Sequence, residues 1–400
     1  MIDRSAERHH QILIVGGGAA GISVAARLHR ARPSLDVAVI DPAEFHHYQP
    51  LWTLVGGGDA KKESTRRTEA SVIPRGVEWI RDAVTAMHPD EKAVELRGGG
   101  RVTYDVLVVA PGIQLDWRTV PGLEGNVGRD GLCSNYDYDT VDHTWEAIRS
   151  FQGGKAIFTH PNTPIKCGGA PQKIMYLAAD HWRKNPPPRP YEIVFCIATP
   201  TIFAVKKYAD ALLRAVERYG IEVRYRTDLV AVDPATHTAT FAKLDSGERY
   251  DEHYDMMHVT PPMGAPDFVR GSSLANAAGW VEVDKHTLQH VRRPEVFALG
   301  DASSLPTSKT GAAIRKQAPV AAANVLAFVD GRPLEAKYDG YTSCPLVTGY
   351  GKLVLAEFGY DQQPDETFPF DQGKERWSMY QLKKHLLPIL YWDGMLKGRA

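Results

Sequence analysis

Cysteines are the side chains of this 400-residue chain best suited to redox chemistry. Cys167 lies beside Lys166 and shortly before Lys173, at the start of a predicted helix over residues 170–183. Nearby cations and a helix N-terminus lower the pKa of a thiol, so we predict that Cys167 is a good thiolate nucleophile. The other cysteines are widely spaced and fit neither a disulfide scaffold nor a zinc motif; they are Cys133, Cys196 and Cys344. For Cys133 and Cys196 we expect small buried side chains.

A glycine-rich turn near the N-terminus predicts a dinucleotide site. The apolar run 11–15 is typical of a buried parallel strand, the run 22–32 has helical spacing, and a second strand over 37–40 ends at Asp41. Between the first strand and the helix lie Gly16, Gly18 and Gly21 in a G-x-G-x-x-G pattern. These glycines allow a tight turn, close approach to a pyrophosphate and close packing of helix on strand. Asp41 can accept hydrogen bonds from the ribose hydroxyls.

Two later segments resemble the further signatures of flavoproteins with two dinucleotide-binding domains. One is a strand that runs into a small-residue turn at Ala110 and Gly112, and the other is a strand that ends in Gly300-Asp301. The resemblance implies that the dinucleotide is FAD and that Asp301 bonds its ribityl and pyrophosphate region. It also implies that the helix around 310–324 points its N-terminus at the flavin pyrimidine.

A second glycine motif, which many such proteins use for NADH, is missing. The matching strand, 191–197, is followed by Ala-Thr-Pro-Thr-Ile-Phe, and no glycine occurs between Ile193 and Lys207. Proline and bulky side chains block the close approach of a pyrophosphate. We therefore predict that NADH is not the electron donor.

Composition narrows the class of protein. The chain is 43% hydrophobic and 24% charged with a net charge of −1, so it offers no electrostatic case for nucleic-acid binding. No stretch reaches the roughly 18 apolar residues needed to span a bilayer, and residues 1–11 show no signal or transit peptide. We assign none of the histidines to a metal.

The C-terminal end, 374–397, combines aromatic and aliphatic residues with basic ones. Basic, aromatic-rich amphipathic helices lie in a membrane interface, and Pro388 is expected to split this one into two short helices. The alternative is a helix packed on the core or in a dimer interface.

Most of the chain resembles sulfide:quinone oxidoreductases of the mitochondrial type and their bacterial relatives. The segments that match are 48–56, 167–173, 205–210, 258–263, 306–310, 341–345 and 368–371. The resemblance implies that Cys167 and Cys344 are redox cysteines bridged beside the flavin. It further implies flavin contacts at Ala19, Ala20, Asp41, Gln49, Val84, Asp301, Lys309, Thr310, Gly311 and Ala312.

The chain departs from the bacterial photosynthetic type of this family. That type has a third essential cysteine and an acid after the first redox cysteine, whereas Lys173 occupies that neighbourhood here and the surroundings of Cys133 do not match. We therefore expect non-covalent FAD.

The resemblance implies a reaction. Hydrosulfide opens the cysteine bridge, Cys344 becomes a persulfide, and two electrons pass through FAD to ubiquinone or another membrane quinone. A small thiol, sulfite or another sulfide removes the sulfane sulfur. Family analogy places Phe368 and Phe370 along the quinone channel. Alternatives are a type II NADH:quinone oxidoreductase, a flavocytochrome-type sulfide dehydrogenase with a haem partner chain, and a flavin-containing redox sensor.

The expected fold is α/β, with two Rossmann-like dinucleotide-binding domains of the disulfide-reductase type and a C-terminal amphipathic membrane-contact segment. We expect the FAD-binding domain at 1–118 and 295–345, a second Rossmann-like domain without a nicotinamide motif at 119–294, and the quinone and membrane-contact region at 346–400. We expect a peripheral membrane protein, at a bacterial plasma membrane, that can form homo-oligomers.

Overall fold

A computed structural model describes residues 8–400 and contains two sheets that each form the centre of an α/β unit. Residues 1–7 lie outside the described part; the start of the predicted FAD-binding domain and most of the segment 1–11, in which we expected no targeting signal, fall on them. The first sheet has seven strands. In spatial order its main path is Glu78–Ile80, Val37–Ile40, Arg8–Val15, Arg101–Val109, Ala93–Leu96 and Val84–His88, and Val296–Ala298 also pairs with Arg101–Val109.

The parallel part of this sheet brings three chain segments to one edge. Val15 is in register with Ile40 on one side and Val109 on the other. The residues of these strand ends are buried, as expected for parallel strands covered on both faces. Gly16, Asp41 and Ala110 follow directly, so the predicted nucleotide residues meet at the carboxyl edge of the sheet.

Two helices complete this unit. Ala19–Ala31 follows the glycine turn, and Gly311–Val329 follows the Gly300-Asp301 turn. The second helix has a side-chain cap: the Thr310 hydroxyl oxygen accepts a hydrogen bond from the Ala313 N–H at 3.1 Å. Both helices begin within a few residues of the bounds predicted from the sequence.

The second sheet has five parallel strands. Their order is Leu132–Cys133, Met256–His258, Gly154–His160, Tyr191–Ile197 and Glu222–Tyr225. The helices of this unit are Val141–Ser150, Ala170–Lys184 and Lys206–Tyr219. An antiparallel sheet of Thr227–Asp233, Thr238–Lys243 and Arg249–His253 continues the chain and shares a hydrophobic cluster with the strands.

Shorter elements connect these units. They are the strand pairs Phe45–His47 with Arg66–Thr68 and Gln114–Leu115 with Met263–Gly264, and the short helices Trp52–Gly56 and Asp267–Arg270. After the last helix of the first unit comes an antiparallel hairpin, Thr342–Gly349 with Lys352–Phe358. Its first strand packs on the Ala170–Lys184 helix of the second unit.

The C-terminal segment is helical from Trp377 to Met395, and the expected break at Pro388 is wrong. α-Helical turns at Trp377–Gln381 and Leu387–Ile389 alternate with π-helical turns at Leu382–Leu386 and Leu390–Met395. Proline lacks an N–H and crowds the preceding turn of an α-helix, and the wider π turns on either side accommodate it.

Candidate active site

Cys167 lies in the loop between the strand Gly154–His160 and the helix Ala170–Lys184. Its N–H donates to the Lys309 carbonyl at 2.8 Å, and its own carbonyl accepts from the Ala170 N–H at 2.7 Å. Its φ is +59°, in the left-handed region that a residue with a side chain rarely adopts. The fold thus holds Cys167 in a costly conformation by backbone bonds on both sides, as often occurs at functional sites.

Cys344 reaches the same place from the C-terminal hairpin. It lies in the strand Thr342–Gly349, is completely buried, and its Sγ is 3.7 Å from the Cys167 Sγ. Both cysteines are free thiols. The structure therefore brings together the two cysteines that the resemblance paired, from positions 177 residues apart in the sequence.

Lys173, one turn into the helix, is the nearest cation to this pair. Its Nζ lies 3.0 Å from the Cys167 Sγ, and its side chain is buried. The hydrogen bond from the Cys344 thiol and the charge of Lys173 hold the pKa of Cys167 well below its usual value, against the opposing effect of burial. The same sulfur–sulfur contact and burial raise the pKa of Cys344. Of the two thiols, Cys167 is therefore the one that more readily loses its proton.

Lys383, which the sequence placed among the basic residues of an amphipathic helix, is buried beside the cysteines. Its Nζ donates to the Pro50 carbonyl at 2.7 Å. Burial and the nearby charge of Lys173 lower its pKa to about 7. The sequence carried no signal for this role, because the burial of Lys383 depends on how the C-terminal segment docks.

Two further lysines connect the cysteine loop to the predicted flavin residues. Lys166 donates to the Gln49 side-chain carbonyl at 2.7 Å, and burial lowers its pKa to about 8. Lys309 donates to the Asp301 carbonyl at 2.5 Å and lies 3.8 Å from the centre of the Trp280 ring. The Lys309 backbone therefore holds Cys167 while its ammonium group holds the Gly300-Asp301 turn.

The glycine turn has the shape that a pyrophosphate requires. A Cβ at Gly16 would lie 2.4 Å from the Ala110 carbonyl oxygen, and a Cβ at Gly21 would lie 1.9 Å from that of Gly16. A Cβ at Gly18 would meet nothing within 4 Å. Gly16 and Gly21 thus serve the packing of the loop itself, whereas Gly18 faces open space where a ligand can approach.

Acidic residues lie at both ends of this region. Asp41 Oδ2 accepts from the Gly17 N–H at 2.6 Å, which fixes the carboxylate beside the glycine turn. Asp301 Oδ1 is buried and has no hydrogen-bond partner among the described residues. A buried acceptor without a donor fits the ribityl hydroxyls of a flavin. The fixed Asp41 carboxylate, the open position at Gly18 and the buried, unpaired Asp301 Oδ1 together fit FAD.

The remaining predicted site residues have the following positions. Ala19 and Ala20 begin the helix after the glycine turn; Gly311 and Ala312 begin the helix that Thr310 caps; Gly112 follows the Ala110 turn; and Val84 is buried in the strand Val84–His88. Phe368 and Phe370 stack with ring centres 5.3 Å apart in the loop before the C-terminal segment.

The turn after the strand Tyr191–Ile197 is occupied by its own side chains. Ile202 and Phe203 are buried, and the Gln172 amide donates to the Ile202 carbonyl at 3.0 Å. This turn replaces the glycine-rich one that a nicotinamide cofactor needs, in line with the prediction that NADH is not the donor.

Comparison with known proteins identifies the family. Residues 10–147 match the family model described as pyridine nucleotide-disulphide oxidoreductase. The mitochondrial sulfide:quinone oxidoreductase of Mus musculus is 48% identical over 396 residues, which cover 98% of this chain and 88% of that protein. The chain belongs to the sulfide:quinone oxidoreductase family. The mitochondrial sulfide:quinone oxidoreductase of Dictyostelium discoideum, 45% identical over 97% of this chain and 86% of its own length, agrees.

A solved structure supports the fold. The sulfide:quinone oxidoreductase of Aquifex aeolicus has a TM-score of 0.82, with 18% identity over 98% of this chain and 92% of that one. The α/β fold with two dinucleotide-binding units, FAD as cofactor and the enzyme class of this family are therefore confirmed. The named relatives are mitochondrial, so the expected bacterial plasma membrane finds no support. Within residues 8–400, no helix has both the length and the apolar character to cross a bilayer.

Proposed function

We propose that this protein oxidises hydrogen sulfide to sulfane sulfur and passes the two electrons through FAD to a membrane quinone. The observation that carries the proposal is the Cys167–Cys344 pair at 3.7 Å with the Lys173 ammonium at 3.0 Å from Cys167. Membership of the sulfide:quinone oxidoreductase family supports it.

The unequal pKa values of the two thiols give the pair a direction. In the oxidised form the two cysteines share a disulfide, and hydrosulfide attacks the Cys344 sulfur. The new S–S bond makes a Cys344 persulfide, and the broken bond releases Cys167 as a thiolate. A thiol of low pKa is the better leaving group, and Cys167 is the one that the structure stabilises as an anion.

The sulfane sulfur is then transferred to an acceptor. A small thiolate or sulfite attacks the outer persulfide sulfur, takes it, and releases Cys344. The two cysteines re-form their bond as the electron pair leaves them. FAD, held by the glycine turn and the Gly300-Asp301 turn, would supply the two-electron acceptor between the cysteines and the quinone. The balance is one hydrosulfide and one anionic acceptor consumed, one persulfide or thiosulfate formed, one proton released from the hydrosulfide and two electrons transferred.

The buried lysines of the site favour an anionic substrate. Lys173 and Lys383 are buried within reach of the cysteine charges, and Lys166 adjoins Cys167. At neutral pH sulfide is present partly as the hydrosulfide anion, and positive charge in a site of low dielectric raises its local concentration.

The C-terminal segment is the candidate contact with the membrane. Met379, Tyr391 and Trp392 pack on the core, whereas Trp377, Leu386 and Ile389 are exposed. A helix that buries one face and exposes large apolar side chains on the other suits a bilayer interface. Phe368 and Phe370, just before this segment, are the candidate quinone contacts.

An anaerobic sulfide titration tests the proposal. Sulfide should bleach the flavin of the wild-type protein, and a short-chain quinone should restore the colour. Cys167→Ser should prevent bleaching, whereas Cys196→Ser, a buried cysteine in the second sheet, should bleach normally. Normal bleaching of the Cys167→Ser variant would contradict the mechanism. Bleaching by NADH would favour the type II NADH:quinone oxidoreductase, and absence of turnover with sulfide and quinone would favour a redox sensor.

A further inference from the structure

A buried chain of hydrogen bonds joins the C-terminal segment to the glycine turn of the predicted FAD site. The Tyr391 hydroxyl oxygen lies 2.5 Å from His46 Nε2, and His46 Nδ1 lies 3.1 Å from the Gly17 carbonyl oxygen. His46 and Tyr391 are 4% and 5% exposed. Neither residue belongs to the cysteine chemistry, and together they connect two parts of the chain that are 345 residues apart.

The chemistry of the partners fixes the direction of this chain. A carbonyl oxygen can only accept, so His46 Nδ1 carries the proton that bonds to Gly17. In the neutral imidazole, Nε2 then accepts, and the Tyr391 hydroxyl donates to it. Burial raises the pKa of Tyr391 well above its usual value, which keeps this proton on the hydroxyl.

The Gly17 carbonyl belongs to the same peptide group as the Gly18 N–H. That group is planar, and none of the described peptide bonds is cis, so the N–H points away from the oxygen that His46 holds. The preceding peptide is held as well, because the Gly17 N–H donates to Asp41. Gly18 is the position of the motif that faces open space, and it is the N-cap residue of the helix Ala19–Ala31.

The surroundings of His46 leave its ring little freedom. Its centre lies 5.8 Å from that of Tyr391 and 5.7 Å from that of Trp392, and Tyr48 packs on Tyr391 at 4.6 Å. Glu69 Oε2 lies 3.4 Å from His46 Nδ1 on the side of the glycine turn. These contacts connect the C-terminal segment to the Gly17 carbonyl through one closely packed ring.

We propose that Tyr391 and His46 are positioning residues for FAD, resting on the FAD site of the proposed function. When the C-terminal segment is docked, Tyr391 orients His46, His46 orients the Gly17–Gly18 peptide, and the Gly18 N–H is aimed for the pyrophosphate. Coupling of this kind is reciprocal, so bound FAD also stabilises the docked C-terminal segment.

Tyr391→Phe tests the proposal because it removes the hydroxyl and keeps the ring. The FAD dissociation constant of the holoenzyme, measured from flavin fluorescence on serial dilution, should rise about three- to tenfold, the effect of one lost buried hydrogen bond. Tyr380→Phe is the matched control. It removes a hydroxyl of the same segment that donates to Asp59 at 2.7 Å and has no bond to the glycine turn. This change should leave FAD affinity unchanged.

Hydrogen exchange supplies a second readout. In the wild-type protein, amides of 377–396 should exchange more slowly with FAD bound than after FAD is removed, and this difference should shrink in Tyr391→Phe but not in Tyr380→Phe. His46→Phe, which removes both ring nitrogens, should weaken FAD binding at least as much as Tyr391→Phe and covers the case in which that variant does not fold.

Unchanged FAD affinity in Tyr391→Phe, or equal weakening in Tyr380→Phe, would overturn the proposal. Either result leaves the proposed function intact, provided that sulfide still bleaches the flavin that stays bound. A wild-type protein that holds no FAD would instead defeat the proposed function itself.

Discussion

The Lys173 ammonium lies 3.0 Å from the Cys167 sulfur; Cys167 lies in the loop just before the helix Ala170–Lys184, and Lys173 lies in the first turn of that helix. The Cys344 sulfur lies 3.7 Å from the Cys167 sulfur. The buried lysine forms its hydrogen bond with Cys167 and lowers the pKa of that thiol, whereas the contact with Cys167 and burial raise the pKa of Cys344. Two chemically identical residues thereby acquire different roles.

The first prediction concerns this ion pair. Lys173→Met removes the charge, raises the pKa of Cys167 and lowers its thiolate fraction at pH 7. Alkylation of Cys167 in the reduced protein by iodoacetamide, followed by peptide mass spectrometry, should slow by about tenfold. Lys184→Met, in the same helix but bonded to Asp180 at its far end, is the control and should have no effect. Equal alkylation rates in all three proteins would refute the role of Lys173.

The second prediction separates two glycines of one motif. Gly18→Ala should leave the FAD-free protein as stable as wild type, because its Cβ meets nothing, but should reduce FAD affinity by about tenfold or more by occupying the approach of the pyrophosphate. Gly21→Ala should destabilise the protein even without FAD, because its Cβ overlaps the Gly16 carbonyl. Urea unfolding of the apoprotein and flavin fluorescence measure the two effects. The opposite pattern would show that the loop was assigned incorrectly.

The third prediction is a dependence of stability on pH. The pKa of Lys383 is about 7 in the folded protein and near its ordinary, higher value in the unfolded chain, so the unfolded chain binds more protons between these values. This residue therefore makes the free energy of unfolding rise from about pH 7 towards pH 10. Lys383→Met should flatten that rise and increase stability at pH 6.5, by an amount on the order of a few kcal/mol.

Urea denaturation of the holoenzyme at a series of pH values provides the measurement. Lys206→Met is the control, because it also replaces a lysine by methionine but at an exposed position. It should keep the wild-type dependence of the free energy of unfolding on pH. If the Lys383→Met protein keeps that dependence too, Lys383 is not the group that titrates.

The fourth prediction concerns the exposed face of the C-terminal segment. Leu386→Glu combined with Ile389→Glu should lower co-sedimentation with phosphatidylcholine vesicles at least about tenfold. Each substitution removes the favourable free energy of burying a large apolar side chain in the bilayer. Sulfide should still bleach the flavin of this variant. Leu213→Glu, at an exposed leucine of the helix Lys206–Tyr219, should bind vesicles as wild type does. Undiminished binding of the double variant would place the membrane contact elsewhere.

Local patterns predicted the strands, helices and turns that surround the expected nucleotide site. Residues that are close in sequence form the glycine turn with Asp41 and the Gly300-Asp301 turn. A buried strand followed by small residues is a specific pattern, because few other local structures need it. The strand Tyr191–Ile197 was also predicted with its observed bounds. The pairing of Cys167 with Cys344 required the family resemblance, because only the tertiary fold brings them together.

Residues whose roles depend on docking were missed. Lys383 and Tyr391 belong to an amphipathic pattern that predicts neither which lysine is buried nor which tyrosine bonds to His46. Pro388 was expected to end a helix, a rule that holds for α-helical geometry but not for π turns. In each case the tertiary packing of the C-terminal segment determines the outcome.

The separate origins of the two cysteines have a mechanical consequence. A bond between Cys167 and Cys344 closes a covalent loop of 177 residues and fastens the terminal hairpin to the second nucleotide-type unit. In the chain-entropy estimate such a loop stabilises the fold by up to about 5 kcal/mol. In the proposed mechanism each catalytic cycle opens and re-forms this cross-link, so we expect the protein to tolerate heat better in its cross-linked form than while sulfur is bound.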